Sequence, residues 1–178
     1  MDEMVKGSAG LAELRQDFQA LDEMCRRAGA AYLTQAQRIL VSISAPKLLH
    51  AVALVRELKG YARTLIYGGQ EISVWAFAWA PGCATTIHDH HCSCCYSVME
   101  GQLTECWFRS VQPCKAAMTS THQRKAGFVA AMLPTQPNIH QMRNDTSQEA
   151  ISLHIYGYEN SARSSSIERE YELVADRR

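Results

Sequence analysis

Gly82-Cys83-Ala84-Thr85-Thr86-Ile87-His88-Asp89-His90-His91-Cys92-Ser93-Cys94-Cys95-Tyr96-Ser97-Val98-Met99-Glu100-Gly101 is the stretch whose reading decides the fold. A Pro81-Gly82 turn leads into two histidines two residues apart, Cys94 follows the second after three residues, and Gly101 follows Cys94 after six. On a strand, residues i and i+2 face the same way, so His88 and His90 can reach one metal ion while Asp89 turns away. A His-x-His pair alone is weak, since surface and core histidines also fall at that spacing. Here two glycines bracket the pair as a metal-bearing strand followed by a hairpin turn requires.

Outward from this stretch, short segments rich in β-branched and aromatic residues alternate with Gly, Pro, Asn and Asp. They run over Thr64 to Tyr67, Ile72 to Trp79, Tyr96 to Met99, Leu103 to Phe108, Phe128 to Met132 and Ala150 to Tyr156. Several short strands joined by tight turns predict a mainly β protein, an antiparallel barrel or jelly roll. The region before them reads as helical. Leu11, Leu14, Phe18, Leu21 and Cys25 form one apolar stripe that Gly29 can close, and a weaker helix is expected from about Thr34 to Leu40. Ser44 and Pro46 then start a helix whose apolar face, Leu48, Leu49, Val52, Val55 and Leu58, runs to Gly60. The expected organisation is one domain: a helical cap over 1–60, a barrel over 61–160, and a polar surface tail over 161–178.

A third imidazole should come from a later strand. His140 is the candidate, because Pro137 and Asn138 form a turn that places it at the start of a short strand near the barrel mouth. His50 falls in a predicted helix and His122 in a predicted polar loop, so neither is a candidate. Neutral nitrogen ligands with open positions suit iron, zinc, copper or nickel. Ser152, His154 and Tyr156 alternate on one strand, where hydroxyl, imidazole and phenol can form a hydrogen-bond relay, or simply face solvent. Tyr61 and Arg63 repeat the i, i+2 pattern on the first strand, and an inward arginine can clamp a carboxylate with both arms, although a solvated rim arginine is the commoner case. Cys92, Cys94 and Cys95 beside the histidines offer an alternative zinc site, but lack the two separated ligand pairs of a structural one.

The chain has 178 residues, 47% of them hydrophobic and 20% charged, with 18 basic and 18 acidic side chains. That balance gives no electrostatic reason to bind nucleic acid or an anionic membrane. The start, Met1-Asp2-Glu3-Met4-Val5-Lys6, lacks a secretory signal, and no apolar run of membrane-spanning length occurs, so a cytoplasmic location is expected. Seven cysteines at irregular spacing predict free thiols rather than a disulfide framework.

Tyr61-Ala62-Arg63-Thr64-Leu65, Ile87-His88-Asp89-His90, Gly101-x-Leu103-x-Glu105, Ile139-His140 and Ser152-Leu153-His154-Ile155-Tyr156 together resemble the cysteine dioxygenase family of thiol dioxygenases, in order and nearly in spacing. The resemblance covers Tyr61 to Tyr158 and implies a small cupin (jelly-roll) barrel with an N-terminal helical segment. It implies that His88, His90 and His140 hold Fe(2+), that Tyr156 is the active-site tyrosine with Ser152 and His154 behind it, and that Arg63, with Tyr61, receives a substrate carboxylate. A thioether between Tyr156 and a cysteine is implied by many animal members, and Cys94 is preferred to Cys95 by counting back from Gly101. The expected activity is oxidation of L-cysteine by O2 to its sulfinate, with no nucleic-acid or membrane partner and a monomeric state. Arg63 marks the arginine type, whereas Trp79-Ala80-Pro81-Gly82 and Tyr156-Gly157-Tyr158 are similar to the bacterial mercaptopropionate branch. Dioxygenation of 3-mercaptopropionate or mercaptosuccinate is the alternative within the class, and a noncatalytic metal-binding cupin sensor the alternative outside it.

Overall fold

In the computed structural model, residues 2–135 and 138–175 are described, with side chains from residue 10 onward. Pro137, half of the turn expected before His140, lies outside them. Helix α1 (Asp2–Ala28) leads through a 3-10 turn (Gly29–Ala31) to α2 (Tyr32–Ser42) and α3 (Ala45–Ala51). Leu14, Phe18 and Leu21 of the predicted stripe are buried, each worth roughly 1.5–3 kcal/mol of transfer from water. Gly29 closes α1 at φ +53°, a left-handed conformation that costs glycine little. The Ser44 side chain caps α3, accepting the Lys47 N–H at 3.3 Å.

Helix α3 is shorter than the sequence predicts. It ends at Ala51, and the chain runs on without helical structure. Val52 and Leu54 are half-buried against the core while Val55 and Leu58 are exposed, so the burial alternates with the period of an extended chain at first and then stops.

Ten strands follow among the described residues: β1 (Tyr61–Gly68), β2 (Ser73–Trp79), β3 (Ile87–His90), β4 (Cys94–Glu100), β5 (Gln102–Gln112), β6 (Lys115–Lys125), β7 (Val129–Met132), β8 (His140–Arg143), β9 (Ala150–Tyr156) and β10 (Ile167–Leu173). One sheet has the order β1-β2-β9-β4-β7, and the other closes as β10-β3-β8-β5-β6. The mainly β cupin architecture with its helical segment is thus as expected. The helices cover one face of the first sheet, where Val74, Ala76, Cys95, Leu153 and Ile155 join Phe18 and Leu40 in a single core. The opposite face carries Phe77, Trp79, Cys94, Tyr96 and Tyr156. Gly101, at φ +73°, turns β4 into β5 where a side chain would collide with the Glu149 carbonyl.

Two stretches depart from the sequence reading. The segment expected to be a polar loop around His122 is β6, which pairs with β5 from Lys115 to Lys125. The expected surface tail contains β10, which pairs antiparallel with β3 and, at Glu172 and Leu173, parallel with β6. Its Ile167-Glu168-Arg169-Glu170-Tyr171 alternates apolar and charged positions only loosely, and charges on a half-exposed strand hide the period-2 pattern. No described helix is long and apolar enough to cross a membrane.

Candidate metal centre

His88 and His90 leave β3 on the same side, and His140 opens β8 directly opposite His88. All three are buried, and one ligand nitrogen from each lies within 4.8 Å of the others. Their outer nitrogens are already spoken for. His88 Nδ1–H donates to the Thr86 carbonyl at 2.9 Å, His90 Nδ1–H to the Ser166 side chain at 3.1 Å, and His140 Nδ1–H to Glu105 Oε1 at 3.2 Å. Those acceptors hold the three rings with their Nε2 atoms turned toward one another, His90 Nε2 and His140 Nε2 only 2.9 Å apart. Two bare nitrogens so close repel unless a proton or a metal cation lies between them. The donor set therefore fits a divalent metal ion held by three neutral imidazoles with positions left open. Burial, and then His140, push His88 down to about 3 and His90 down to about 2, so neither competes for that ion with a proton near neutrality. Asp89 turns away, as expected, and accepts from the Tyr171 hydroxyl at 2.7 Å.

Facing the histidines across a cavity of about 50 Å³ is the relay on β9, room for a few non-hydrogen atoms, given that one water needs about 10–15 Å³. Trp79 Nε1–H donates to Ser152 Oγ at 2.8 Å, Ser152 lies 2.7 Å from His154 Nε2, and His154 Nδ1 lies 3.2 Å from the Tyr156 hydroxyl. Indole N–H can only donate, so Ser152 keeps its own proton for His154 Nε2. His154 then donates from Nδ1 to Tyr156, and the Tyr156 proton is free to point into the cavity. Burial pushes His154 down to about 3 and Tyr156 well above its usual range, so both stay neutral.

Cys94 and Tyr156 are direct neighbours across β4 and β9 and line the same cavity. Cys95 belongs to the core under the helices. The cluster that could hold a metal contains no cysteine among the described residues. Tyr61 lines the cavity, its ring tilted against those of Phe77 and Trp79. Arg63 stands at the rim, its guanidinium 5.1 Å from the Trp75 ring centre and its Nη1–H donating to the Ser164 carbonyl at 3.4 Å.

A model of the cysteine dioxygenase type I family matches residues 14–162. The chain belongs to that family. Among solved structures, it is similar to a Klebsiella pneumoniae protein with a double-stranded β-helix domain, at 17% identity and TM-score 0.49, over 66% of this chain and 84% of the other. A Thermus thermophilus protein matches at 18% identity and TM-score 0.48, over 59% and 90%. A cupin-superfamily sugar phosphate isomerase from Silicibacter pomeroyi matches at 23% identity and TM-score 0.46, over 55% of this chain and 59% of its own length.

Within this cysteine dioxygenase family member, four site residues escaped the sequence reading. Glu105 orients His140 and is itself paired with Arg124 at 2.8 Å. Ser166 orients His90, Trp79 starts the relay, and Tyr96 lines the cavity. Burial works to raise the Glu105 carboxyl, but hydrogen bonds from His140 and Arg124 outweigh it and hold it below the usual range. Glu105 lay within the family motif, and alternation from Leu103 would have put it opposite Thr104. Ser166 had no signal, since the strand that follows it was unrecognised.

Proposed function

We propose that the protein is a thiol dioxygenase that uses non-haem Fe(2+) and O2 to oxidise a small thiol carboxylate, L-cysteine above others, to its sulfinate. The observation that carries this proposal is the convergence of three buried imidazole Nε2 atoms on a small cavity, faced by a neutral phenol. A ferrous ion held by His88, His90 and His140 would supply the redox chemistry that carries both atoms of dioxygen to sulfur.

The protein's own groups do the rest. The aromatic wall of Tyr61, Phe77 and Trp79 excludes water, which strengthens every polar contact inside. Arg63, at the rim, receives the substrate carboxylate in place of the Ser164 carbonyl, with Tyr61 beside it. Tyr156 directs its O–H at the reacting oxygen, held in that orientation by the Trp79-Ser152-His154 relay. Cys94 is the partner for a thioether to the Tyr156 ring, which would lock the phenol further.

Oxygen consumption by anaerobically iron-loaded protein, offered L-cysteine, 3-mercaptopropionate, mercaptosuccinate and cysteamine, tests the proposal. Selective turnover of cysteine, with sulfinate identified by mass, is the expected result. Uptake with another thiol keeps the chemistry and changes the substrate, whereas no uptake with any thiol despite bound iron overturns it. Replacing His88, His90 or His140 by Ala should abolish iron binding, and full iron occupancy in all three variants defeats the ligand assignment.

A further inference from the structure

The cavity at the three histidines holds about 50 Å³, room for about four water-sized groups. A thiol carboxylate has more non-hydrogen atoms than that before dioxygen is counted, so part of the wall must give way when substrate binds. Most of the lining stands on paired strands, and only Thr85, Ser165 and Ser166 do not. Thr85 is pinned to β8. Its N–H donates to the Met142 carbonyl at 2.9 Å, and its hydroxyl accepts the Met142 N–H at 3.1 Å. Ser166 is held on His90, and the Ser165 carbonyl accepts from His91 Nε2–H at 3.1 Å.

The residues just before these are held more weakly. Residues 161–164 are exposed. Arg163 pairs with Glu168 at 3.4 Å, with both side chains in solvent, and such a pair contributes little. The Ser164 carbonyl accepts from Arg63 Nη1–H, also at 3.4 Å, at the mouth of the cavity. That bond is long, single and made to a neutral oxygen. A carboxylate can take two parallel bonds from one guanidinium, each about twice as strong as a bond to a neutral partner, so it displaces the carbonyl. A guanidinium only donates, so an amine cannot take the same seat.

We propose that the Ser164 carbonyl is a latch on Arg63 that a substrate carboxylate releases, so that the cavity opens outward to thiols bearing a carboxylate and stays closed to thiols without one. This rests on the thiol dioxygenase proposal above, in which Arg63 receives the carboxylate. The anchored residues Ser165 and Ser166 stay in place as the turn before them lifts, and His90 keeps its acceptor.

Trypsin cleavage after Arg163, beside the latch, reads its release. Anaerobic, iron-loaded wild-type and Arg63→Ala proteins are treated with trypsin alone, with saturating 3-mercaptopropionate and with saturating cysteamine, and fragments are identified by mass. Oxygen uptake on both thiols is measured in parallel. Cleavage after Arg124 on β6 reports unfolding of the barrel, and if it rises in the variant the wild-type arms decide alone. Without thiol, Arg63→Ala should be cut after Arg163 about fivefold faster than wild type, the factor of one weak hydrogen bond when cleavage follows the open population. 3-Mercaptopropionate should accelerate wild-type cleavage by a similar factor and leave Arg63→Ala unchanged, while cysteamine changes neither. Equal rates in wild type and folded Arg63→Ala, or equal acceleration by both thiols, overturn the latch. Turnover of 3-mercaptopropionate without accelerated cleavage also overturns it and leaves the dioxygenase proposal standing. Acceleration by 3-mercaptopropionate with no oxygen uptake on any thiol overturns the dioxygenase proposal and keeps the latch, and neither effect overturns both.

Discussion

Ser166 Oγ lies 3.1 Å from His90 Nδ1, so a hydroxyl at the foot of the last strand orients a ring on β3, 76 residues earlier. An outer-shell acceptor of this kind fixes the tautomer and typically contributes 10–100-fold in metal affinity. The Ser166 carbonyl, at 3.3 Å from the same nitrogen, remains in a Ser166→Ala variant. The expected loss is therefore at the low end, about tenfold, and Ser166→Thr should recover most of it. Competition against a chelator of known affinity measures this. Wild-type affinity in Ser166→Ala would remove the side chain from the metal's support.

The Glu105 carboxylate, 1% exposed, spans His140 and Arg124. Arg124→Ala would leave that charge buried with one partner fewer, and also removes the guanidinium that lies 4.2 Å from the Phe128 ring centre. Breaking a buried pair costs roughly 3–5 kcal/mol, and because Arg124 is 20% exposed the lower figure applies. Urea unfolding should therefore show a loss of about 3 kcal/mol. A change below about 1 kcal/mol would place Arg124 among ordinary surface partners.

What the sequence disclosed follows from periodicity. His88 with His90, and Ser152 with His154 and Tyr156, each lie on one face of one strand, and that i, i+2 spacing is visible without any fold. Pairings between distant strands are not. Glu105 meets His140 because β5 lies beside β8, and Ser166 meets His90 because β10 pairs with β3. The sequence around Ser166 is serine-rich and then charged, a composition that a solvated tail shares with a half-exposed strand. Tyr96 reads as an ordinary strand aromatic. Only its pairing with His154 across β4 and β9 sets its ring on the cavity wall.

Cys94 and Tyr156, opposite each other across β4 and β9, give the proposed thioether a defined partner. Formation removes one hydrogen from each, so the reduced intact protein should be two hydrogens lighter than its sequence. The deficit should vanish in Cys94→Ala and persist in Cys95→Ala, because Cys95 faces the helices. Reduction beforehand is required, since a disulfide gives the same deficit. A deficit surviving in Cys94→Ala would assign the link elsewhere, and full mass in the reduced wild-type protein would show that none forms.

Acid should destabilise the metal-free protein well above the range where carboxylates protonate. His88 and His154 are pushed down to about 3 and His90 to about 2 from an ordinary value of 6.5, chiefly by burial. A depressed histidine folds neutral and charges on unfolding, so the unfolded chain binds more protons and stability falls as pH drops below about 6.5. The stability these groups contribute is complete at neutrality and is lost progressively toward pH 3. Three such groups give a slope approaching about 4 kcal/mol per pH unit once the unfolded chain is protonated. Urea midpoints of chelated protein at pH 7, 6 and 5 measure it, with a slope about one third smaller in His154→Phe if that variant folds. A flat midpoint from pH 7 to 5 would mean that these histidines take up protons inside the fold, and His88 and His90 would then compete for a metal ion with protons.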